Sequence, residues 1–137
     1  MYKRILVPLD GSEHAEAVLP FVCMLARVSD TEIILLRVSE YPLEIYPTSC
    51  DYSPADPRLA EAIEVKKLPV RNEVKRYLKH IALYIEKEGY QMITEVRDEP
   101  VVESILNATE YLCADLITMA THTYSRCTHW LIVSLVL

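Results

Sequence analysis

The side chains best suited to chemistry crowd one short polar loop near the end of the chain, where Thr121, His122, Thr123, Ser125, Arg126 and Thr128 follow one another. The loop comes after a buried-strand pattern, Leu116, Ile117 and Met119, and before an apolar segment that begins at Trp130. A strand, a polar loop and a helix start make the usual setting for an anion, because backbone N–H groups at a helix N-terminus converge on negative charge. His122, Ser125, Arg126 and Thr128 offer a phosphate further donors, and a merely solvated loop accounts for the same residues. The 137 residues include only two glycines, neither of them in Ala114–Ser134, so the backbone freedom that phosphate loops normally use is missing.

Other groupings suggest weaker chemistry. His122, Cys127 and His129 are zinc-ligating types, but their spacing matches no standard finger and no fourth ligand stands near. Asp10 and Ser12 with His122 have the composition of a hydrolytic set, yet no G-x-S-x-G elbow accompanies them and Ser12 reads better as a helix cap. Dedicated catalysis is therefore not expected, with weak hydrolysis as the upper bound. Cys23, Cys50, Cys113 and Cys127 show no paired spacing, which suits reduced thiols. The tyrosines Tyr41, Tyr46 and Tyr52 form either a binding edge or a loop packing on its own aromatics.

A net charge of -6 argues against a sequence-independent nucleic-acid partner, which needs clustered Lys and Arg to displace counterions. The N-terminal MYKRILVPLDG has too short an apolar run for a signal peptide or a membrane span, so a cytoplasmic protein without membrane association is expected. At 51% apolar and 25% charged residues, the chain can bury a core, and its length fits a single domain over residues 1–137.

These residues need a scaffold. Ile5, Leu6 and Val7 read as a buried strand running through Pro8 into the turn Asp10-Gly11-Ser12. Apolar positions at helical spacing follow from Glu13 to Arg27, with Pro20 expected to kink the helix. The run from Ile33 to Val38 is a second strand, apolar on both faces as in a covered parallel sheet. Ser39–Pro69 holds five of the eight prolines and reads as a long loop with a short helix around Arg58–Lys67. Val74, Tyr77, Leu78, Ile81 and Ile85 mark an amphipathic helix closed by Gly89; Met92–Val96 is a strand; Pro100 opens a helix ending near Leu112; Ala114–Ala120 is a fourth strand. Strands alternating with helices predict an α/β fold with a doubly wound parallel sheet. Ligands in such sheets bind beyond the carboxyl ends of the strands, here Pro8–Ser12, Val38–Glu40 and Ala120–Arg126.

The segments KRILVPLDGSEHAEAVL, IILLRV and ADLITMATH, in this order and at these separations, resemble the universal stress protein family from Tyr2 to about Ser134. The resemblance implies a Rossmann-like, adenine nucleotide alpha hydrolase-like fold holding ATP or AMP, with magnesium accompanying ATP. In ATP-binding members a strand-end Asp meets the ribose, backbone at the end of the second strand meets adenine, and a G-x2-G-x9-G-[ST] motif cradles the phosphates. By position Asp10 then takes the ribose, Val38 the adenine, and Pro8 shapes the pocket. The phosphate motif falls on Ala120, Thr123, Val133 and Ser134, with His122 inside it. Its spacing is kept and its three glycines are not. Thr123, being β-branched, resists a left-handed backbone, and Val133 would project its branches toward the phosphate. Family members also end in a final strand used in dimer contacts. Here the chain stops at Leu137, so that strand is expected to be missing, and the apolar Trp130–Leu137, readable as strand or helix, is expected to support a homodimer.

Two functions follow from the sequence. One is a stress-response module that holds an adenine nucleotide as a regulatory ligand through Asp10, Val38 and the Ala120–Ser134 loop. The other is an interaction or signalling module that keeps the fold, binds no nucleotide, and acts through its surface and dimerisation.

Overall fold

Four parallel strands and their helices are laid down in chain order, and a fifth strand then turns back. The computed structural model describes residues 2–27, 30–42, 45–46, 56–121 and 129–134, with residues 121 and 129–134 described by their backbone. The elements are β1 (Arg4–Leu9), α1 (Glu13–Glu16), α2 (Leu19–Arg27), β2 (Glu32–Val38), α3 (Pro57–Glu86), β3 (Gln91–Arg97), α4 (Val101–Tyr111), β4 (Leu116–Thr121) and β5 (His129–Ser134). They build one sheet in the order β3-β2-β1-β4-β5. β1 runs parallel to β2 and β4, β2 runs parallel to β3, and β5 is antiparallel to β4.

The two-faced apolar strands explain the layers. One face of the sheet, with Ile5, Val7, Ile33 and Leu35, packs on Val18 and Val22 of the first helical region and on Leu78, Ile81 and Ile85 of α3. The other face, with Leu6, Ile34, Leu36 and Ile117, packs on Ala108 of α4. Helices on both faces cover the strands, as a doubly wound parallel sheet requires.

The helix expected over Glu13–Arg27 is two helices. Pro20 clashes with the carbonyl four residues back, Glu16, and α1 ends at that residue. Pro20 itself sits at the second position of α2, where its missing N–H costs nothing.

The long loop expected over Ser39–Pro69 is shorter. α3 begins at Pro57, capped by Asp56, whose carboxylate accepts the Arg58 N–H at 2.9 Å. It then continues through Pro69 to Glu86. Its buried residues all lie from Val74 onward, so the first half presents no apolar stripe to read. The good helix formers Ala, Glu, Lys, Leu and Arg carry it instead. Thirty residues of helix span about 45 Å against roughly 23 Å for a seven-residue strand, and the excess overhangs the carboxyl end of the sheet. The helix stops at Lys87, and Gly89 (φ +96°) serves the turn that follows. Pro100 stands just ahead of α4 as its N-cap.

The expectation of a missing final strand is corrected by β5, and of the two readings of the segment from Trp130 the strand holds as far as Ser134. Trp130, Ile132 and Val133 are strand formers. Residues 122–128 are too few for a parallel crossover, which needs about a dozen, so the chain can extend the sheet only by reversing. The edge of β4 is therefore paired within the chain, Leu116 with Ser134 through Thr121 with His129.

Candidate functional site

Pairing between β1 and β4 ends at Leu6 with Ile117, two residues before Pro8, which has no N–H to continue it. This is the point where the strand order reverses, β1 having been followed outward by β2 and β3 before the chain crosses to β4. A cavity of about 470 Å³ opens there. Pro8, Leu9 and Asp10 form its floor, Arg37, Val38 and Glu40 one side, and Met119 and Ala120 another. Val70, Glu73 and Val74 of the overhanging α3 and Val101 and Ile105 of α4 complete the wall.

The tight turn after β1 is fixed by local hydrogen bonds. Asp10 Oδ1 accepts the backbone N–H of Ser12 at 2.9 Å and its hydroxyl at 2.5 Å. The Ser12 hydroxyl oxygen accepts the Ala15 N–H at 3.1 Å and so caps α1. Gly11 adopts φ +88°, a conformation that side chains resist. A Cβ at Gly11 would lie 3.0 Å from Nη2 of Arg37, because the guanidinium rests against the glycine backbone.

Among the described residues, Arg37 is the only cation lining this cavity. Its guanidinium stacks on the ring of Tyr77, 4.5 Å from the centroid. Tyr77 in turn donates its hydroxyl to Glu16 Oε1 at 2.9 Å, and burial, followed by that carboxylate, holds the phenol well above its ordinary pKa. The phenol thus stays neutral, with its face available to Arg37.

Above the cavity the β2–α3 connection is tied to the overhanging helix. Arg71 bridges Asp98 at 2.6 Å and Glu64 at 3.6 Å, and the Tyr41 hydroxyl donates to Asp98 Oδ1 at 3.0 Å. Lys67 lies over the rings of Tyr41 and Tyr46, 4.8 and 5.9 Å from their centroids. These two tyrosines are therefore engaged with α3; Tyr52 lies outside the described residues.

Of the residues singled out in the sequence, Pro8, Asp10, Val38 and Ala120 meet around the cavity. His122 and Thr123 lie outside the described residues, as do Ser125, Arg126, Cys127 and Thr128. Val133 and Ser134 do not join the others. They pair with Ile117 and Leu116, which puts Ser134 four strand residues, roughly 13 Å, from the Ala120 end of β4. The antiparallel return carries the second half of the phosphate motif away from the first. The sequence marks Glu40 only as the end of the Val38–Glu40 loop and does not single out Arg37 or Glu73 for the site. Arg37 had a signal: one cation interrupts the apolar run Ile33–Val38 near its carboxyl end. Glu73 had none, because it reaches the cavity only through the length of α3. Among the described residues no group of His, Cys, Asp and Glu is placed to hold a metal ion. No described helix is long and apolar enough to cross a membrane.

Known proteins share this architecture. The structure resembles that of hypothetical protein MJ0577, with 27% identity over 93% of this chain and 80% of that one and a TM-score of 0.69. It also resembles a universal stress protein family member from Burkholderia pseudomallei, with 24% identity over 85% and 79% of the two chains and a TM-score of 0.60. A universal stress protein solved in complex with cAMP shares the fold at 16% identity, covering 85% and 74% of the two chains with a TM-score of 0.55. No curated protein sequence matches the chain. The sequence pattern of the universal stress protein family matches residues 1–136. With that match over nearly its whole length, and a pocket at the switch point of a doubly wound sheet, the chain belongs to the universal stress protein family.

Proposed function

We propose that this protein is a stress-response module whose switch-point pocket binds an adenine nucleotide as a regulatory ligand, with Asp10 toward the ribose and Val38 toward the base. The observation that carries this reading is the convergence of Pro8, Asp10, Val38 and Ala120, from three separate strands, on one cavity of about 470 Å³. A carboxylate can accept hydrogen bonds from both hydroxyls of a ribose, and the apolar wall of Val38, Val70, Val74 and Met119 suits a flat base. The cAMP complex of a protein with the same fold supports an adenine nucleotide as the ligand class. The module acts by binding and release rather than turnover; the nucleotide is ATP or AMP, with magnesium accompanying ATP.

Titration calorimetry of the whole chain with adenosine and its phosphates tests the reading. Asp10→Ala should weaken binding by about tenfold or more, since a charged hydrogen-bond acceptor is lost. It should also lower the melting temperature slightly through Ser12. A lower melting temperature with unchanged affinity would leave Asp10 a purely structural residue.

A second reading, an interaction module without a nucleotide, is favoured by one observation: Val133 and Ser134 are at the far end of β4 from the pocket. Failure of every adenine compound to bind would establish it. In either case we propose one domain over residues 1–137, a cytoplasmic location, and a homodimer formed through the open edge of β5.

A further inference from the structure

β2 is fully buried at Leu35 and Leu36 and then places a cation, Arg37, at the cavity. The guanidinium is held by packing: Gly11 lies against it and Tyr77 lies under it, and among the described residues it forms no ion pair. A partly buried guanidinium with its fork of donors unmatched is a site for a planar or tetrahedral oxyanion. The same wall carries three carboxylates, Asp10, Glu40 and Glu73, so its described charge is one positive against three negative. A neutral nucleoside would leave Arg37 unmatched. A triphosphate would bring three to four negative charges to a wall that is already net negative, with room at one guanidinium for one phosphate.

We propose that Arg37 is the phosphate-binding and specificity-determining residue of this pocket, and that the pocket selects nucleotides bearing a single phosphate over triphosphates. The inference rests on the nucleotide reading above and names the ligand within it. Arg37 replaces, with a side-chain fork, the backbone cradle that Val133 and Ser134 do not supply beside Ala120. Gly11 is what lets the fork lie low over the turn, since a Cβ there would come within 3.0 Å of Nη2 and push the guanidinium outward.

Calorimetry of the full chain with adenosine, AMP and ATP, each with and without magnesium, tests the assignment. AMP should bind about tenfold or more tighter than adenosine, and ATP no tighter than AMP under either condition. Arg37→Gln should bring AMP down to the affinity of adenosine while leaving adenosine unchanged, which also reports that the pocket remains folded. Arg37→Lys should recover part of the AMP preference, because it keeps the charge and loses the fork. Glu73→Gln should narrow the gap against ATP. Equal binding of AMP and adenosine, or an Arg37→Gln variant that weakens both alike, would overturn the role of Arg37 while the nucleotide pocket stands. ATP binding tighter than AMP would overturn the selectivity. If no adenine compound binds, the pocket reading itself fails and this inference fails with it.

Discussion

Gly11 shows how one position sets the site. Its φ of +88° belongs to the left-handed region, and its missing Cβ leaves space for the Arg37 guanidinium. Gly11→Ala should cost about 1–3 kcal/mol of stability from backbone strain alone, because the far end of Arg37 can move aside while φ cannot. Chemical denaturation reads that loss. The displaced guanidinium should lower AMP affinity more than adenosine affinity in the same variant. The cysteines separate at this scale too. Cys23 is half-buried, and burial, with Glu88 nearby, pushes its thiol pKa upward, whereas Cys113 is exposed. Timed alkylation at pH 8 with peptide mapping should label Cys113 well before Cys23 in the native protein and both at similar rates in denaturant.

Among the elements, α3 carries the most information about the pocket. Its second half is anchored by Val74, Leu78, Ile81 and Ile85, and its first half stands beyond the sheet with Pro69 inside it. Pro69 removes one hydrogen bond to the carbonyl of Val65, on an exposed stretch where water can take the acceptor. Pro69→Ala should therefore stabilise the protein by about 2 kcal/mol, the helix-interior penalty less the entropy the ring removes from the unfolded chain, and raise the melting temperature. The N-terminus of α3 has a pH signature. Hydrogen bonds from the Arg58 side chain, then from its backbone N–H, hold the Asp56 carboxyl below its ordinary pKa. A carboxyl whose folded pKa is depressed stabilises the native state above its unfolded pKa, and that stability is lost as pH falls through the folded value. Wild-type and Asp56→Asn proteins should accordingly differ most near neutral pH and converge under acid, as followed by thermal melts from pH 7 downward.

At the scale of the whole molecule, β5 decides how the sheet ends. β4 is buried at Leu116, Ile117 and Thr118, so removing its partner would expose backbone groups beside an apolar surface. A chain ending after Thr121 should elute from size exclusion as aggregate or fail to fold, whereas an intact chain should elute as a well-defined species. Light scattering of the intact chain at tens of micromolar should give the mass of a dimer if β5 pairs with its counterpart. Leu78, fully buried between α3 and the sheet, tests the core that both depend on. Leu78→Ala should cost about 2–5 kcal/mol in equilibrium unfolding, the loss of burial plus the cavity left behind.

The sequence by itself determined the parallel part of this fold and the turn that enters the cavity. Two-faced apolar runs at Ile5–Val7 and Ile33–Leu36 have no stable home except a covered sheet, and Asp10-Gly11-Ser12 must turn because its glycine and its capping serine act locally. Such features depend on neighbours in the chain, so they are legible there. The antiparallel course of β5 was not, since an eight-residue apolar stretch fits strand or helix and the outcome depends on which edge lies within reach of a short connection. The continuity of α3 through Pro69 was hidden because its exposed half has no apolar period. Only the tertiary structure brought Arg37 onto Gly11 and Tyr77 and set Glu73 and Asp10 around one cavity, because these residues come from β2, the β1 turn and α3 and their positions along the chain carry no record of their meeting.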